Sequence, residues 1–444
     1  MATFDTKLTG GTVHLPSGPA RIDIGIVDGR IAGIGVAGDA GQTIDCTGLD
    51  ILPGVIDTQV HFREPGLEHK EDLATGSIAA VMGGVTAVFE MPNTKPATDT
   101  EEAIADKLAR ARGRMYCDHA FYVGATARNA DHLAELERLP GTAGVKVFMG
   151  SSTGDLLVSE DDDLLHVLRS GHRRVAIHAE DEMRMIAREG ERVSGDPASH
   201  PVWRDDESAL LATRRILRLA RAARRRIHVL HVTTPAELEL LGRNKDIATC
   251  EVTPQHLTLA GEEAYPRLGT LAQMNPPIRS GVHRDGLWHW LNQGVPDVIG
   301  SDHAPHTLEE KSKPYPASPS GMPGVQTLLP LLLDHAANGR LSLQRVIELT
   351  SAGAQRIFGL AGKGRIACGY DADFTIVDLK KRWTIEDAWL ASRAGWSPFT
   401  GMTLTGKPIG TIVRGHVAMW EDTLGDAPQG APIRFEATEF PGGR

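Results

Sequence analysis

The chain has 444 residues, of which 41% are hydrophobic and 23% are charged. These proportions exclude wholesale disorder and allow a large buried core without disulfides. The formal net charge of −10 argues against a general binder of nucleic acids or anionic membranes. The four cysteines form no CxxC pair, which favours a reducing, cytoplasmic setting over a disulfide scaffold or a thiolate zinc site.

The N-terminal region, residues 5–52, predicts short strands joined by turns. In DIGIVDGRIAGIG, at 23–35, alternating apolar residues flank an Asp-Gly pair, a pattern typical of a β-hairpin. The first residues include no basic segment followed by an apolar one, so we expect no signal peptide.

The middle of the chain, residues 53–362, alternates short apolar runs with amphipathic stretches. The amphipathic stretches at 72–84, 100–112, 161–171 and 207–226 predict helices. The eight predicted strands lie at 51–61, 85–91, 118–124, 145–150, 174–180, 227–232, 247–253 and 297–304. Eight strand–helix alternations are typical of a (β/α)8 TIM-like barrel. A doubly wound sheet is the alternative, but the first strand is not followed by a glycine-rich phosphate loop.

The β-rich texture returns at 364–420. We therefore predict one small β-sandwich domain formed from both termini, residues 1–52 plus 363–430, beside a barrel domain at 53–362. Two unrelated β caps are the alternative. Residues 431–444 follow as a tail. We expect the chain beyond about Gly425, which is rich in Gly, Pro and charge, to lie on the surface or to be partly disordered.

Polar residues fall where the predicted strands end. These residues are Gln59, His61, Arg63, Asn93, Lys146, His178, His231 and Asp302. In a barrel the C-terminal ends of the strands meet at one face, the face that builds active sites. A single histidine there is often structural, but three histidines, an aspartate and a lysine at five strand ends suit a divalent cation. The residues thus favour metal-assisted hydrolysis of an amide-like bond, with Asp302 near the reacting water.

Seven arginines between Arg214 and Arg226 follow or occupy the helical stretch at 207–226. No aromatic residues are interleaved with them, as a nucleic-acid surface would favour. We interpret this cluster as a solvated helix face.

Several segments resemble the amidohydrolase superfamily, and most closely the dihydroorotases related to hydantoinases and allantoinases. They are HFREPG at 61–66, EMPNT at 90–94, GVKVFMGSS at 144–152, IHAED at 177–181, HVLHVTT at 228–234, MNPPIR at 274–279, GSDHAPHT at 300–307 and SGMPGVQT at 320–327. HFREPG together with MPNT is typical of dihydroorotases and unusual in hydantoinases.

This resemblance implies a role for each site residue. The implied metal ligands are His61, Lys146, His178, His231 and Asp302, with Lys146 carboxylated and bridging Zn²⁺ ions. The implied substrate-binding residues are Arg63, Asn93, Asn275 and His306. Four structural alternatives stay open: Arg63 pairing with Glu64 or Glu68, Asn93 as a turn former, His306 as an ordinary loop residue, and Lys146 without carboxylation.

The chain departs from the family at Gln59, where dihydroorotases carry the first histidine of an HxH motif. A neutral amide oxygen is a poorer zinc ligand than imidazole, so we expect one of two metal positions to be weakened.

The resemblance implies reversible hydrolysis of dihydroorotate to N-carbamoyl-aspartate in pyrimidine synthesis, by metal-activated hydroxide with Asp302 as acid and base. It also implies a cytoplasmic homodimer that could associate with aspartate carbamoyltransferase. Two alternatives stay open: a non-catalytic partner of that transferase, and an allantoinase.

Overall fold

The computed structural model describes residues 4–151 and 156–436. The N-terminal strands form an Asp28-Gly29 hairpin as predicted, with φ values of 49° and 70° at its two turn residues, as the turn of a tight hairpin requires. These strands are β1 (Phe4–Thr9), β2 (Thr12–Leu15), β3 (Gly18–Arg21), β4 (Ile24–Val27), β5 (Arg30–Ile34), β6 (Ala40–Asp45) and β7 (Asp50–Pro53).

Eight parallel strands then form the predicted barrel, each paired with the next along the chain. They are β8 (Val55–Val60), β9 (Val85–Glu90), β10 (Asp118–Gly124), β11 (Thr142–Phe148), β12 (Val175–His178), β13 (Ile227–Val229), β14 (Ala248–Val252) and β15 (Val298–Ile299). A parallel bridge between Val60 and His303 joins the last strand to the first. All eight strand predictions are confirmed, because strands buried on both faces read as continuous apolar runs.

The remaining strands complete the domain built from both termini. They are β16 (Phe374–Thr384), β17 (Thr403–Val413), β18 (His416–Trp420) and β19 (Thr423–Leu424). One sheet has the order β5-β4-β1-β6, and the other has the order β19-β18-β17-β16-β7-β2-β3. Leu8 and Ile26 of the first sheet share one buried cluster with Val13, Phe374 and Ile412 of the second. The predicted β-sandwich is therefore present beside the barrel.

Helices surround the barrel. They are α1 (Leu73–Met82), α2 (Glu101–Ala111), α3 (Leu133–Leu136), α4 (Asp161–Arg169), α5 (Glu182–Ala187), α6 (His200–Trp203), α7 (Asp206–Ala223), α8 (Pro235–Gly242), α9 (Pro254–Thr258), α10 (Gly261–Leu268), α11 (Gly281–Asn292), α12 (Leu308–Lys311), α13 (Leu328–Ala337), α14 (Leu343–Ile347) and α15 (Gly353–Phe358). The four helices predicted from amphipathic stretches are α1, α2, α4 and α7. In the described part of the chain, no helix is long and apolar enough to cross a membrane.

The arginine cluster is only partly a solvated face. The helix α7 ends at Ala223, and Arg224 adopts a left-handed conformation with φ 54°. Arg214 and Arg218 are exposed as predicted. Arg225, by contrast, is buried and forms an ion pair of 2.5 Å with Glu137, because the turn after the helix directs the chain back towards the barrel.

The prediction of a surface tail is wrong for residues 431–436. Ile433 and Phe435 are fully buried at the N-terminal end of the barrel, in one cluster with Phe89 and Phe358. The tail is rich in Gly, Pro and charged residues, so its composition did not indicate that Ile433 and Phe435 would be buried. Burial of such large apolar side chains is favourable. The rest of the predicted tail, 437–444, lies outside the described residues.

A buried ionic cluster joins the two domains. The carboxylates of Asp118, Asp371 and Asp373 are close enough to hold a metal ion, but Lys363 Nζ lies 2.5, 3.2 and 2.5 Å from them respectively. Burial alone would lower the pKa of Lys363, yet the three carboxylates raise it above its ordinary value. The ammonium thus already supplies the positive charge, and this cluster is a structural link between β10 and the segment that enters β16.

We expect Lys363→Met to lower the free energy of unfolding by about 3–5 kcal/mol, because it leaves buried carboxylates without their cation. Denaturant unfolding measures this loss. Lys380→Met, a change at an exposed lysine of β16, should stay within about 0.5 kcal/mol of the unchanged protein. Equal midpoints for the two variants would contradict a structural role for the cluster.

Candidate active site

A cavity opens at the C-terminal ends of the barrel strands, and eight of the nine site residues proposed from the sequence line it. These eight are His61, Arg63, Asn93, Lys146, His178, His231, Asn275 and Asp302. The ninth, His306, is buried directly behind Arg63, with Nε2 3.3 Å from Arg63 Nη2. Gln59 also lines the cavity. Residues from distant parts of the chain therefore meet at one place.

Two histidines present ring nitrogens to the same point. His178 Nδ1 lies 3.0 Å from His231 Nε2. Two nitrogens bound to one tetrahedral zinc ion lie about 3.3 Å apart, given Zn–N bonds of about 2.0–2.1 Å. Burial lowers the pKa of both imidazoles, so both are neutral and keep the lone pair that a metal ligand needs.

A second group of polar atoms surrounds Asp302. Its Oδ1 lies 3.2 Å from His61 Nε2 and 3.1 Å from Gln59 Nε2. The other ring nitrogen of His61 lies 2.8 Å from Asn93 Oδ1, an acceptor, so the ring proton belongs on Nδ1. Burial lowers the pKa of His61, and its Nε2 lone pair therefore faces a carboxylate oxygen. Such an arrangement is repulsive unless a cation lies nearby.

Lys146, on β11, lies in the same cavity. It is 1% exposed, and Nζ has no hydrogen-bond partner in the described structure, although it lies 4.4 Å from the centre of the Phe148 ring. Burial lowers the pKa of this amine to about 7. An unpaired buried ammonium is costly, so the environment favours the neutral, nucleophilic amine. The last residue of the GVKVFMGSS segment, Ser152, lies outside the described residues.

Three site residues have strained backbones. Arg63, His231 and Asp302 adopt left-handed conformations, with φ values of 66°, 35° and 44° respectively. Each such conformation costs on the order of 1–3 kcal/mol for a non-glycine residue and persists only where the surroundings hold it. All three lie two or three residues beyond the end of a barrel strand, where the chain must turn while the side chain faces the cavity.

The contacts of Arg63 do not match the structural alternative in which it pairs with Glu64 or Glu68. Its Nε donates to the carbonyl of Pro305 at 3.2 Å, and no described ion pair joins it to Glu64 or Glu68. Glu64 instead pairs with Arg114 at 2.7 Å. The guanidinium of Arg63 is therefore buried at the cavity wall without a carboxylate partner from its own loop.

Lys70 was not foreseen from the sequence, because it lies in the loop after β8 and not at a strand end. Its Nζ lies 3.1 Å from His306 Nδ1 and 3.0 Å from Glu310 Oε1. On its other side, His306 Nε2 lies 2.9 Å from the Ser320 carbonyl. Lys70 thereby sets the orientation of His306.

Asn275 is oriented by a residue that the sequence did not reveal. His200, a buried histidine of α6, places Nε2 2.9 Å from Asn275 Oδ1. Burial lowers the pKa of His200 to about 3, so this imidazole is neutral. In the sequence, nothing but its being a histidine points to a role for His200 in the site.

Glu180 and Arg204 support His178 from outside the cavity. His178 Nε2 lies 2.9 Å from Glu180 Oε2, and Arg204 Nη2 lies 2.5 Å from the same oxygen. All three side chains are buried. Because Nε2 donates to the carboxylate, Nδ1 of His178 is unprotonated and directed to His231. Glu180 stands two residues after the histidine in IHAED, so the motif itself contained this signal.

Comparison with known proteins identifies the family. The Amidohydrolase family matches residues 51–418. The chain belongs to the amidohydrolase family. It is 37% identical over 403 residues to a dihydroorotase of Methanothermobacter thermautotrophicus. The alignment covers 90% of this chain and 91% of that protein. It is 34% identical over 456 aligned residues to an allantoinase of Escherichia coli O1:K1, which covers 97% of each.

A solved structure supports the assignment of this chain to the amidohydrolase family. The L-hydantoinase (dihydropyrimidinase) of Arthrobacter aurescens superimposes with a TM-score of 0.92 and 29% sequence identity, over 97% of this chain and 99% of that one. The likeness therefore includes the barrel and the β-sandwich together. Members of the family are typically metal-dependent.

With zinc as the probe cation, we expect Glu180→Gln to weaken metal binding about 10- to 100-fold, because the amide orients His178 less firmly than a carboxylate does. Competition with a chromogenic chelator measures the affinity, and the absorption spectrum of the cobalt-substituted protein reports ligand geometry. Glu191→Gln, at an exposed glutamate, is the matched control.

Glu180→Gln also removes the carboxylate partner of the buried Arg204 guanidinium, which by itself destabilises the protein. The double variant Glu180→Gln/Arg204→Gln should regain folding stability but not zinc affinity. Recovery of both together would show that Glu180 acts only through folding.

Proposed function

We propose that the chain is a dihydroorotase, an amidohydrolase that reversibly hydrolyses (S)-dihydroorotate to N-carbamoyl-L-aspartate. The observation that carries this proposal is the convergence of a cation-binding group and the buried guanidinium of Arg63 on one cavity. The curated dihydroorotase described above supports it over 90% of the chain. The substrate is a small cyclic amide with one carboxylate, which matches these two parts of the cavity.

The residues present fit a divalent cation. The Nε2 lone pair of neutral His61 faces Asp302, and the Nδ1 lone pair of His178 faces His231. The buried amine of Lys146 has no hydrogen-bond partner in the described structure. We infer that His61, Lys146, His178, His231 and Asp302 hold Zn²⁺. When bound, zinc would lower the pKa of water and polarise a carbonyl group.

Lys146 can serve as a ligand only after its charge is changed. An ammonium has no lone pair and repels a cation, whereas a carbamate formed with CO₂ is an anionic oxygen ligand. The lowered pKa of this amine, about 7, favours the neutral form that reacts with CO₂. Carboxylation of Lys146 is therefore part of the proposal.

Gln59 distinguishes the two parts of this proposed metal centre. The part formed by Lys146, His178 and His231 keeps every imidazole that the family resemblance implies. On the side of His61, the Gln59 amide lies beside Asp302 where a histidine would stand. We propose that one zinc ion binds firmly and that a second, if bound, is held more weakly.

Asp302 is placed to move the proton of the reaction. Its Oδ1 can accept a proton from the water that attacks the ring carbonyl. As the carbon–nitrogen bond of the ring amide breaks, the same carboxyl group can deliver that proton to the leaving nitrogen. Gln59 Nε2 donates a hydrogen bond of 3.1 Å to Oδ1 and helps to keep the carboxyl group oriented through both transfers.

The carboxylate of the substrate is assigned to Arg63, with Asn93, Asn275 and His306 completing the binding set. A guanidinium matches a carboxylate with two parallel hydrogen bonds. The Ser320-Gly321 backbone also lines the cavity, and His306 is bonded to that backbone. We propose that this segment faces the ring of the substrate.

The wider biological setting is also a proposal. A role in pyrimidine biosynthesis, a cytoplasmic location, a homodimer and association with aspartate carbamoyltransferase follow from the family resemblance alone. The alternative of a non-catalytic partner of that transferase does not explain why eight of the nine residues implied by the resemblance still line one cavity, although Gln59 replaces a histidine. Allantoinase stays the second candidate, because an allantoinase is 34% identical over nearly the whole chain.

Purified zinc-loaded protein distinguishes these functions when dihydroorotate and allantoin are assayed side by side. We expect turnover of dihydroorotate and little of allantoin. Arg63→Lys should lower kcat/KM for dihydroorotate about 10- to 100-fold, since it loses the fork that contributes about 1.5–3 kcal/mol.

The variant Arg112→Lys, at an exposed arginine, is the control for Arg63→Lys and should leave kcat/KM unchanged. Absence of dihydroorotate turnover in the metal-replete protein would disprove the proposed function. Faster opening of allantoin than of dihydroorotate would instead favour the second candidate.

A further inference from the structure

A second cleft lies at the opposite end of the barrel, beside the N-terminal ends of β11, β12 and β13. Its volume is about 400 Å³, within the range of about 300–1,000 Å³ that is typical of small-molecule sites. The residues that matter here are Arg174, Arg226, Arg356, Ile357 and Phe358. None of them takes part in the proposed catalytic chemistry.

Two of these cations have no carboxylate partner. Arg226 is exposed and forms no hydrogen bond or ion pair through its side chain in the described ranges. Arg174 uses Nε and Nη1 to bond the carbonyls of Ile357 at 3.2 Å and Ile227 at 2.9 Å, which leaves Nη2 available. Burial and the nearby Arg226 lower the pKa of Arg174 to about 10. Asp297 has a smaller, opposite effect on the pKa of Arg174, but no described ion pair joins either arginine to a carboxylate.

The other charged groups at the cleft do not cancel this charge. Arg356 pairs with Glu348 at the surface. Arg173 is buried, with its Nη atoms bonded to the carbonyls of Glu137, Thr142 and Ala143. Glu436 is the one carboxylate among the cleft-lining residues described. The cleft therefore keeps an excess of positive charge although the whole chain has a net charge of −10.

The arrangement of these positive groups favours one class of ligand. Guanidinium groups reach the cleft from three separate elements: the starts of β12 and β13 and the helix α15. A tetrahedral anion can accept hydrogen bonds from several directions, whereas a planar carboxylate is satisfied by a single fork. Ile357 and Phe358 add an apolar wall beside the cations, suited to the group that such an anion would carry.

We propose that this cleft is a binding site for a phosphate-bearing small molecule, with Arg226 and Arg174 as the principal contacts. The site is separate from the catalytic cavity, and the proposal is independent of the proposed hydrolase activity. Arg174 is fixed in advance by its two carbonyl bonds, so binding would order only the exposed Arg226 side chain, which limits the entropic cost.

Calorimetric titration of the full-length protein with inorganic phosphate, and in parallel with pyrophosphate, tests this site. We expect saturable binding of about one ion per chain that weakens at high salt. Arg226→Gln should raise Kd about tenfold, as expected for the loss of one charge-assisted hydrogen bond. Succinate at the same ionic strength should bind more weakly than phosphate.

The matched control is Arg214→Gln, which removes the same charge from an exposed arginine of α7 outside the cleft and should leave Kd unchanged. Equal weakening of phosphate binding by both variants would show that only the general electrostatic field of the protein is responsible. An unchanged Kd in Arg226→Gln, an absence of saturable binding, or tighter binding of succinate would each overturn the proposal.

Discussion

The structure depends on closure of the parallel sheet. Once the Val60–His303 bridge joins the last strand to the first, the C-terminal ends of all eight strands must share one rim. Side chains separated by more than 200 positions then lie within hydrogen-bond distance, as His61 and Asp302 do at 3.2 Å. Burial in this rim removes water, which keeps the imidazoles neutral and makes a nearby cation favourable.

The surrounding structure offsets the unfavourable free energy of such a site. Left-handed backbones at Arg63, His231 and Asp302, and a buried amine without a described partner, are each unfavourable alone. The barrel core and the pairs behind the cavity, such as Glu180 with Arg204, hold them in place. This division between a rigid scaffold and a strained, polar rim is typical of catalytic sites.

Much of this arrangement could be predicted from the sequence. The buried strands read as apolar runs, and the residue types at their ends reveal cation chemistry once a barrel is assumed. What could not be predicted are contacts between remote polar residues. Nothing in the local sequence indicates that Lys70 contacts His306 or that Lys363 lies among three carboxylates. The burial of Ile433 and Phe435 likewise depends on where the chain returns, which local composition does not report.

Anomalous diffraction at the zinc edge, from crystals of the zinc-loaded protein, tests the central claim most directly. The account predicts a strong peak about 2.0–2.1 Å from His178 Nδ1 and His231 Nε2, beside extra density on Lys146 Nζ. A second peak near His61 and Gln59 should be weaker. A cavity without any anomalous peak, or zinc bound only among Asp118, Asp371 and Asp373, would contradict the account.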